Sequence, residues 1–400
     1  MKKPFIILLA MVLCLFMTSC GTSSTADEKQ EIQSLDVVIC DAFSGRGFGT
    51  FDYQALSAET GLNVSAKNFL HDEAVLKILA GDTDIDIYFF DATSVRILRE
   101  QGIYIPIESE IVSEFVDGCF DYLQDYSYEG NNLVMMPICS AVSAVTVPKS
   151  TIAETEMTAA DIDSSDEYLS FARNYNGDRV AYTNGSALFS FFEIQYNEYC
   201  CDFENKSFDY NTELYKSLYE KFLGGYLRHA QYPGAMEGFV HNVVNEGGDD
   251  SEYALMNLSL FDTNLSDRYF EEWRAFPVPR ISEKVESNYV GARFAVINPY
   301  SNNKAAALKV LETIASDYYE YADYLADSSL LFREPSLYSE SYHKDSDIFN
   351  DYFEIAKNGF ISDYQVPSFH NDIDEYQNGR ITLDEAIAMY QREVEIWLNE

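Results

Sequence analysis

The sequence predicts an α/β protein of two domains, and three observations carry that reading. Strands and helices alternate from Asp36 to Gly102, the pattern of βαβ units on a mostly parallel sheet. A second α/β region, richer in helix, follows from about residue 150 to residue 276. The chain has 400 residues, nearly half of them apolar, with 27 phenylalanines, 30 tyrosines and 2 tryptophans. That is more apolar material than one ordinary core holds, and enough for two.

Order is expected to begin at Leu35. Asp36 to Cys40 is a short β-rich run that ends in a glycine-loaded turn, Ser44-Gly45-Arg46-Gly47-Phe48-Gly49. A helix-like stretch then runs to Glu59, Gly61 stops it, and Leu62 to Ala66 forms a second strand. The pattern repeats with a helix from Asp72 to Ala80 capped by Gly81, a strand from Ile85 to Phe90, and a helix from Thr93 to Gln101 stopped by Gly102. Leu133 to Val147 reads as two extended apolar pieces, with Pro137 between strand-like runs. In the second region, helix-like stretches lie near Asp166 to Tyr175, Ala187 to Tyr199 and Thr212 to Leu227, with strands at Arg179 to Tyr182 and Tyr253 to Leu258. Ala292 to Ile297 is a further strand. Lys304 to Ser316 is an amphipathic helix, apolar at Ala307, Leu308, Leu311, Ile314 and Ala315. The chain is helical again from about Asp345, and its last helix opens with Thr382-Leu383-Asp384-Glu385, a capping box.

Ahead of this body, Lys2 and Lys3 precede an apolar run from Phe5 to Met17, and Thr18 and Ser19 stand directly before Cys20. This is a secretory signal ending in a lipobox-like cleavage site. The run of about 13 residues is short of the roughly 20 that span a bilayer. Residues 1–19 are therefore expected to be a signal peptide, Cys20 to carry lipid, and residues 20–35 to be a flexible polar tether. A plain signal peptide and a retained spanning helix are the alternatives. The expected location is the outer face of the cytoplasmic membrane.

The formal charge is −39, a field that repels phosphate backbones and anionic lipid. Nucleic acid is excluded as a partner, and so is membrane binding by the folded body itself. Beyond Cys14 and Cys20 the chain has Cys40, Cys119, Cys139, Cys200 and Cys201, an odd number that implies no disulfide framework. The adjacent Cys200 and Cys201 stand in an aromatic, helix-like context and read as buried thiols.

Catalytic and metal motifs are missing. There is no G-x-S-x-G, H-E-x-x-H, P-loop or C-x-x-C, and His71, His229, His241, His343 and His370 share no helix face. No metal and no cofactor are expected. Gly45-x-Gly47-x-Gly49 has neither dinucleotide nor Walker spacing; it remains a backbone-exposing loop at the carboxyl end of a strand, where open α/β sheets bind ligands. Among 66 acidic residues no carboxylate pair is marked out, so a glycan hydrolase built on such a pair stays an alternative.

Five stretches, in order along the chain, resemble one family. They are ALSAETGLNVSAKNF (55–69), AGDTDIDIYFFDATSVRILREQGIYIPI (80–107), MPICSAVSAVTVPKS (136–150), YSNNKAAALKVLETIAS (300–316) and NGRITLDEAIAMYQREVEIWLNE (378–400). The family is the extracellular solute-binding proteins of ABC importers, in particular the sugar-binding group that includes maltose-binding protein. The resemblance implies a periplasmic-binding-protein-like fold of type II: two α/β lobes of discontinuous chain, a hinge, and ligand in the cleft between them. The first lobe would be 36–140 plus 293–330 and the second 141–292 plus 331–400. Met136 to Val147 would carry the chain across, and the strand around Ala292 to Ile297 would return it.

By the same resemblance, the loop after the strand at Asp86 to Phe90 faces the cleft, which makes Asp91, Thr93 and Ser94 hydrogen-bonding candidates. The loop after the first strand adds Phe43, Ser44 and Phe48. The second lobe adds Tyr182, Asn184, Asn257 and Trp273, the last in a loop-like stretch before Pro277. These residue types suit a sugar, whose ring presents an apolar face and a rim of hydroxyls. With only Trp273 and Trp397 present, tyrosine and phenylalanine would supply most aromatic plates. The implied function is a lipid-anchored monomer, not an enzyme, that captures a small solute, a saccharide, and delivers it to an ABC permease. A sensor or adhesin on the same fold is the other alternative.

Overall fold

The computed structural model describes residues 35–41, 51–174, 180–181, 185–223, 253–260, 271–285, 288–317, 345–364, 366, 375–376 and 378–399. Cys20, the signal segment and the tether lie outside them.

The first part alternates as the sequence predicts. Strand β1 (Asp36–Asp41) is followed by helix α1 (Tyr53–Thr60), β2 (Asn63–Asn68), α2 (His71–Leu79), β3 (Ile87–Asp91) and α3 (Ala92–Glu100). The local reasons are readable. The Asp52 carboxylate caps α1 by accepting from the Gln54 and Ala55 amides, each at 2.9 Å, and Gly61 ends it at φ 65, a conformation that favours glycine. Two helices follow that the sequence reading does not contain, α4 (Glu110–Asp117) and α5 (Asp121–Ser127), then the short hairpin β4 (Tyr128–Glu129) and β5 (Asn132–Leu133).

The long strand β6 (Met136–Pro148) is continuous rather than two pieces. After it come α6 (Lys149–Thr155), α7 (Ser165–Asn174), β7 (Val180–Ala181), α8 (Gly185–Cys200), α9 (Glu213–Phe222), β8 (Tyr253–Leu260), β9 (Trp273–Phe276) and β10 (Asn288–Ile297). The chain closes with α10 (Lys304–Ser316), α11 (Asp347–Lys357), β11 (Gly359–Phe360) and α12 (Leu383–Trp397). Helix α12 has the expected capping box, with Glu385 N donating to Thr382 Oγ1 and Thr382 N to Glu385 Oε2.

The described strands form a nine-stranded sheet in the order β2-β1-β3-β10-β6-β8-β7, with β11 on β10 and β9 on β6. It is mixed rather than mostly parallel. β1 pairs parallel with β2 and β3, but β10 enters antiparallel to β3 and β6 antiparallel to β10. The antiparallel members come from distant chain, so no local alternation announces them.

Two hydrophobic clusters flank this arrangement. One draws on residues 37–138 and 292–314, the other on 145–285 and 386–394. Strand β6 serves both, with Met136 and Ile138 in the first and Val145 and Val147 in the second. Its first half pairs with β10, its second with β8 and β9. The second cluster is where many tyrosines go: Tyr196, Tyr210, Tyr215 and Tyr390 contact one another ring to ring, and the Tyr215 hydroxyl donates to the buried Glu193 carboxylate at 2.5 Å.

Buried polar groups pin the first part together. The Asp86 carboxylate accepts from Val38 N at 2.8 Å and from Ser301 Oγ, while Asn298 Nδ2 donates to the Asp82 and Ile85 carbonyls. This network ties β1, the start of β3 and the end of β10 at one point. The cysteines Cys40, Cys119, Cys139, Cys200 and Cys201 are free thiols. Cys200 is exposed and Cys201 half-buried, against the expectation of two buried thiols, because Cys200 is the last residue of α8 and faces out where that helix ends.

Candidate ligand site

Sheet parity assembles a row of charged side chains at the carboxyl ends of β1 and β3. Asp41 is the register partner of Phe89, Asp91 stands two residues beyond Phe89, Arg293 is the partner of Asp91, and Cys139 is the partner of Arg293. Register partners and i, i+2 neighbours share a face, so Asp41, Asp91, Arg293 and Cys139 lie on one side across four strands. Asp41 and Arg293 are buried, at 2% and 7% exposure. A buried guanidinium is costly unless carboxylates stand close. Burial pulls the Arg293 guanidinium down, and the nearby Cys139, Asp41 and Asp91 oppose that. The β6–β10 pairing shifts register between Arg293 and Phe294, so this row sits where the ladder bends.

Around the row stand further polar groups. Burial raises the Tyr53 hydroxyl well above the usual phenol range, and the charge of the nearby Asp41 pushes the same way. Asp91 is the N-cap of α3: its Oδ1 accepts from Ser94 N at 2.8 Å, and its Oδ2 lies 3.5 Å from His71 Nδ1. The Ser94 hydroxyl is 3.4 Å from the same histidine nitrogen. The Tyr126 hydroxyl donates to the Ala92 carbonyl at 2.7 Å, and its ring stacks on Phe294 at 4.8 Å. The arrangement offers carboxylate, hydroxyl and guanidinium groups at a strand-end loop, a set that can accept and donate to a polyhydroxyl ligand.

Among the predicted site residues, Asp91, Thr93 and Ser94 come together at the start of α3, with Ser94 buried and Thr93 half-buried. Asn257 lies on β8 opposite Val145. Trp273 is not in a loop: it opens β9, pairs with Pro148 and is 2% exposed, because residues 273–276 complete the ladder on the second half of β6. Phe43, Ser44, Phe48, Tyr182 and Asn184 lie outside the described residues. Asp41, Tyr53, His71, Tyr126 and Arg293 were not singled out from the sequence. The clearest signal for one of them was a charged Arg293 inside the otherwise apolar strand Ala292-Arg293-Phe294-Ala295-Val296.

No cluster of three or more metal-ligating side chains occurs among the described residues. No helix among them is long and apolar enough to cross a membrane.

The fold is that of the two-lobed periplasmic-binding-protein class, of the maltose-binding type. Solved structures of this fold include the sugar-binding protein MalE from Xanthomonas citri, with a TM-score of 0.64 and 16% identity over 91% of this chain and 97% of that one. The bacterial solute receptor AcbH, described as exclusive for β-D-galactopyranose, aligns with a TM-score of 0.60 and 15% identity over 91% and 97%. The maltotriose-binding protein of Thermus thermophilus aligns with a TM-score of 0.57 and 14% identity over 90% and 100%. No protein-family model and no curated protein sequence matches the chain.

Proposed function

We propose that this chain is the solute-binding component of an ABC importer, that it takes a small saccharide between its two lobes, and that it hands it to a permease without chemical turnover. The observation that carries the reading is the pair of hydrophobic cores joined through β6 and β10, in a fold shared along nine-tenths of the chain with sugar receptors. The lobes would be 36–140 plus 293–330 and 141–292 plus 331–400, with closure by hinge bending of the shared strands. The ligand would meet Asp91, Thr93 and Ser94 from the first lobe, joined by Phe43, Ser44 and Phe48. Tyr182, Asn184, Asn257 and Trp273 would face it from the second, and Trp273 would need to become exposed to do so. Lipid on Cys20 would hold the monomer at the outer face of the membrane.

The test is a thermal-shift titration of the purified protein with galactose, maltose, maltotriose and a wider solute panel. A true ligand at about 100 times its dissociation constant adds roughly 2.7 kcal/mol of stability. No saturable shift from any sugar sinks the saccharide assignment, and release of product from an oligosaccharide sinks the binding one. For the anchor, Cys20→Ser should move the protein from the membrane fraction to the soluble one.

A further inference from the structure

Besides β6, and the stretch that runs from Val285 into β10, a third piece of chain touches both cores. After α11, Gly359 and Phe360 pair with Asn288 and Tyr289 at the start of β10. The fit is close: a Cβ on Gly359 would stand 2.3 Å from Val290 Cγ2. Phe360 meets Tyr199 and Tyr289 edge to face, at 5.7 and 6.1 Å. The next residue, Ile361, packs on the first core, and Tyr364 packs on the second, where its ring lies 5.1 Å from that of Phe203.

The strap is gripped from opposite sides, at Phe360 by Tyr199 and at Tyr364 by Arg96. The buried Ser362 hydroxyl lies 3.5 Å from the Tyr364 carbonyl, within the strap itself. The Arg96 guanidinium of α3 lies 4.4 Å over the ring of Tyr364, a cation–π contact. Arg96 stands on α3, which packs into the first core through Val95 and Leu98, and Tyr199 packs on the second.

We propose that residues Gly359–Tyr364 are an interlobe clasp: held by Arg96 on one lobe and by Tyr199 on the other, they maintain the lobe arrangement described and tie it to α3, whose N-cap is Asp91. Two adjacent strands make a soft hinge, because they bend without losing their ladder. Side chains that grip from both lobes resist that bend. The clasp goes beyond solute capture and does not depend on which ligand, if any, is bound.

The test is hydrogen–deuterium exchange on the full chain without ligand, which reads local opening. Tyr364→Ala and Arg96→Gln should each raise exchange not only in Gly359–Tyr364 but also in Ala92–Leu98 and in Cys139–Val142. Tyr364→Phe, which keeps the ring, should match the parent. Faster exchange confined to Gly359–Tyr364 in both variants overturns the proposal, as does a Phe variant that behaves like the Ala variant. If Tyr364→Ala loses protection globally, Arg96→Gln decides, since it touches the same contact from the partly exposed side of a helix.

Discussion

Arg293 and Asp91 face each other as register partners on neighbouring antiparallel strands, with Asp41 on the same face one strand further. Replacing Arg293 by Met leaves two carboxylates without the buried cation that offsets them. The expected loss is about 3–5 kcal/mol, the usual cost of breaking a buried pair from one side. Urea unfolding reads it, and adding Asp41→Asn to Arg293→Met should recover part of the loss. A midpoint unchanged in Arg293→Met would mean that the row is not electrostatically coupled.

Asp86→Ala is expected to destabilise by about 2–4 kcal/mol, since it leaves the Val38 amide and the Ser301 hydroxyl without the acceptor they share, at about 1–3 kcal/mol for each buried group. Thermal unfolding of Asp86→Ala against Ser301→Ala separates the two contributions. The double variant should cost less than the sum of the singles, because they remove one network.

Gly359→Ala forces a methyl toward Val290 Cγ2 and the Ala356 carbonyl. Overpacking of this kind costs about 1–3 kcal/mol. Combining it with Val290→Ala should cost less than the two changes measured separately, and strict additivity would place the strain elsewhere.

Stability should fall as pH rises above about 10. Burial raises the phenols of Tyr168, Tyr210, Tyr215 and Tyr390 well above their usual value and pushes Tyr196 up to about 12. A raised folded-state pKa means that the unfolded chain releases these protons first. The contribution is full below pH 10 and is lost as pH climbs toward the folded values, by about 1.4 kcal/mol per pH unit for each such tyrosine. Denaturant midpoints between pH 8 and pH 11 check the slope, and a flat profile would contradict it.

Much of the first core was legible because its signals are local. Gly61 and Gly102 stop helices where expected, Asp91 precedes a helix as a good N-cap should, and Lys304–Ser316 has the predicted bounds. Helix α4 was equally readable in principle, with Ser109 as cap and Val112, Phe115 and Val116 buried on one stripe. Strand β9 was not, since four residues carry too little period to separate from a loop. The antiparallel entry of β10 and the row through Arg293 depend on which strands become neighbours, and that is a property of pairing rather than of any window of sequence. The aromatic richness went where the composition pointed, into a core: Tyr196, Tyr210, Tyr215 and Tyr390 fill the second one.

The shared strands also order events during folding. Asp86 and Ser301 are 215 residues apart yet joined by a direct hydrogen bond, and β3 stays an open sheet edge until β10 exists to cover it. A chain cut short before residue 288 therefore presents an unpaired strand to its surroundings, a template for aggregation. Contacts so distant in sequence close slowly. The amino-terminal part cannot finish as an independent unit, and the last step of building its sheet waits for chain that emerges nearly three-quarters of the way along.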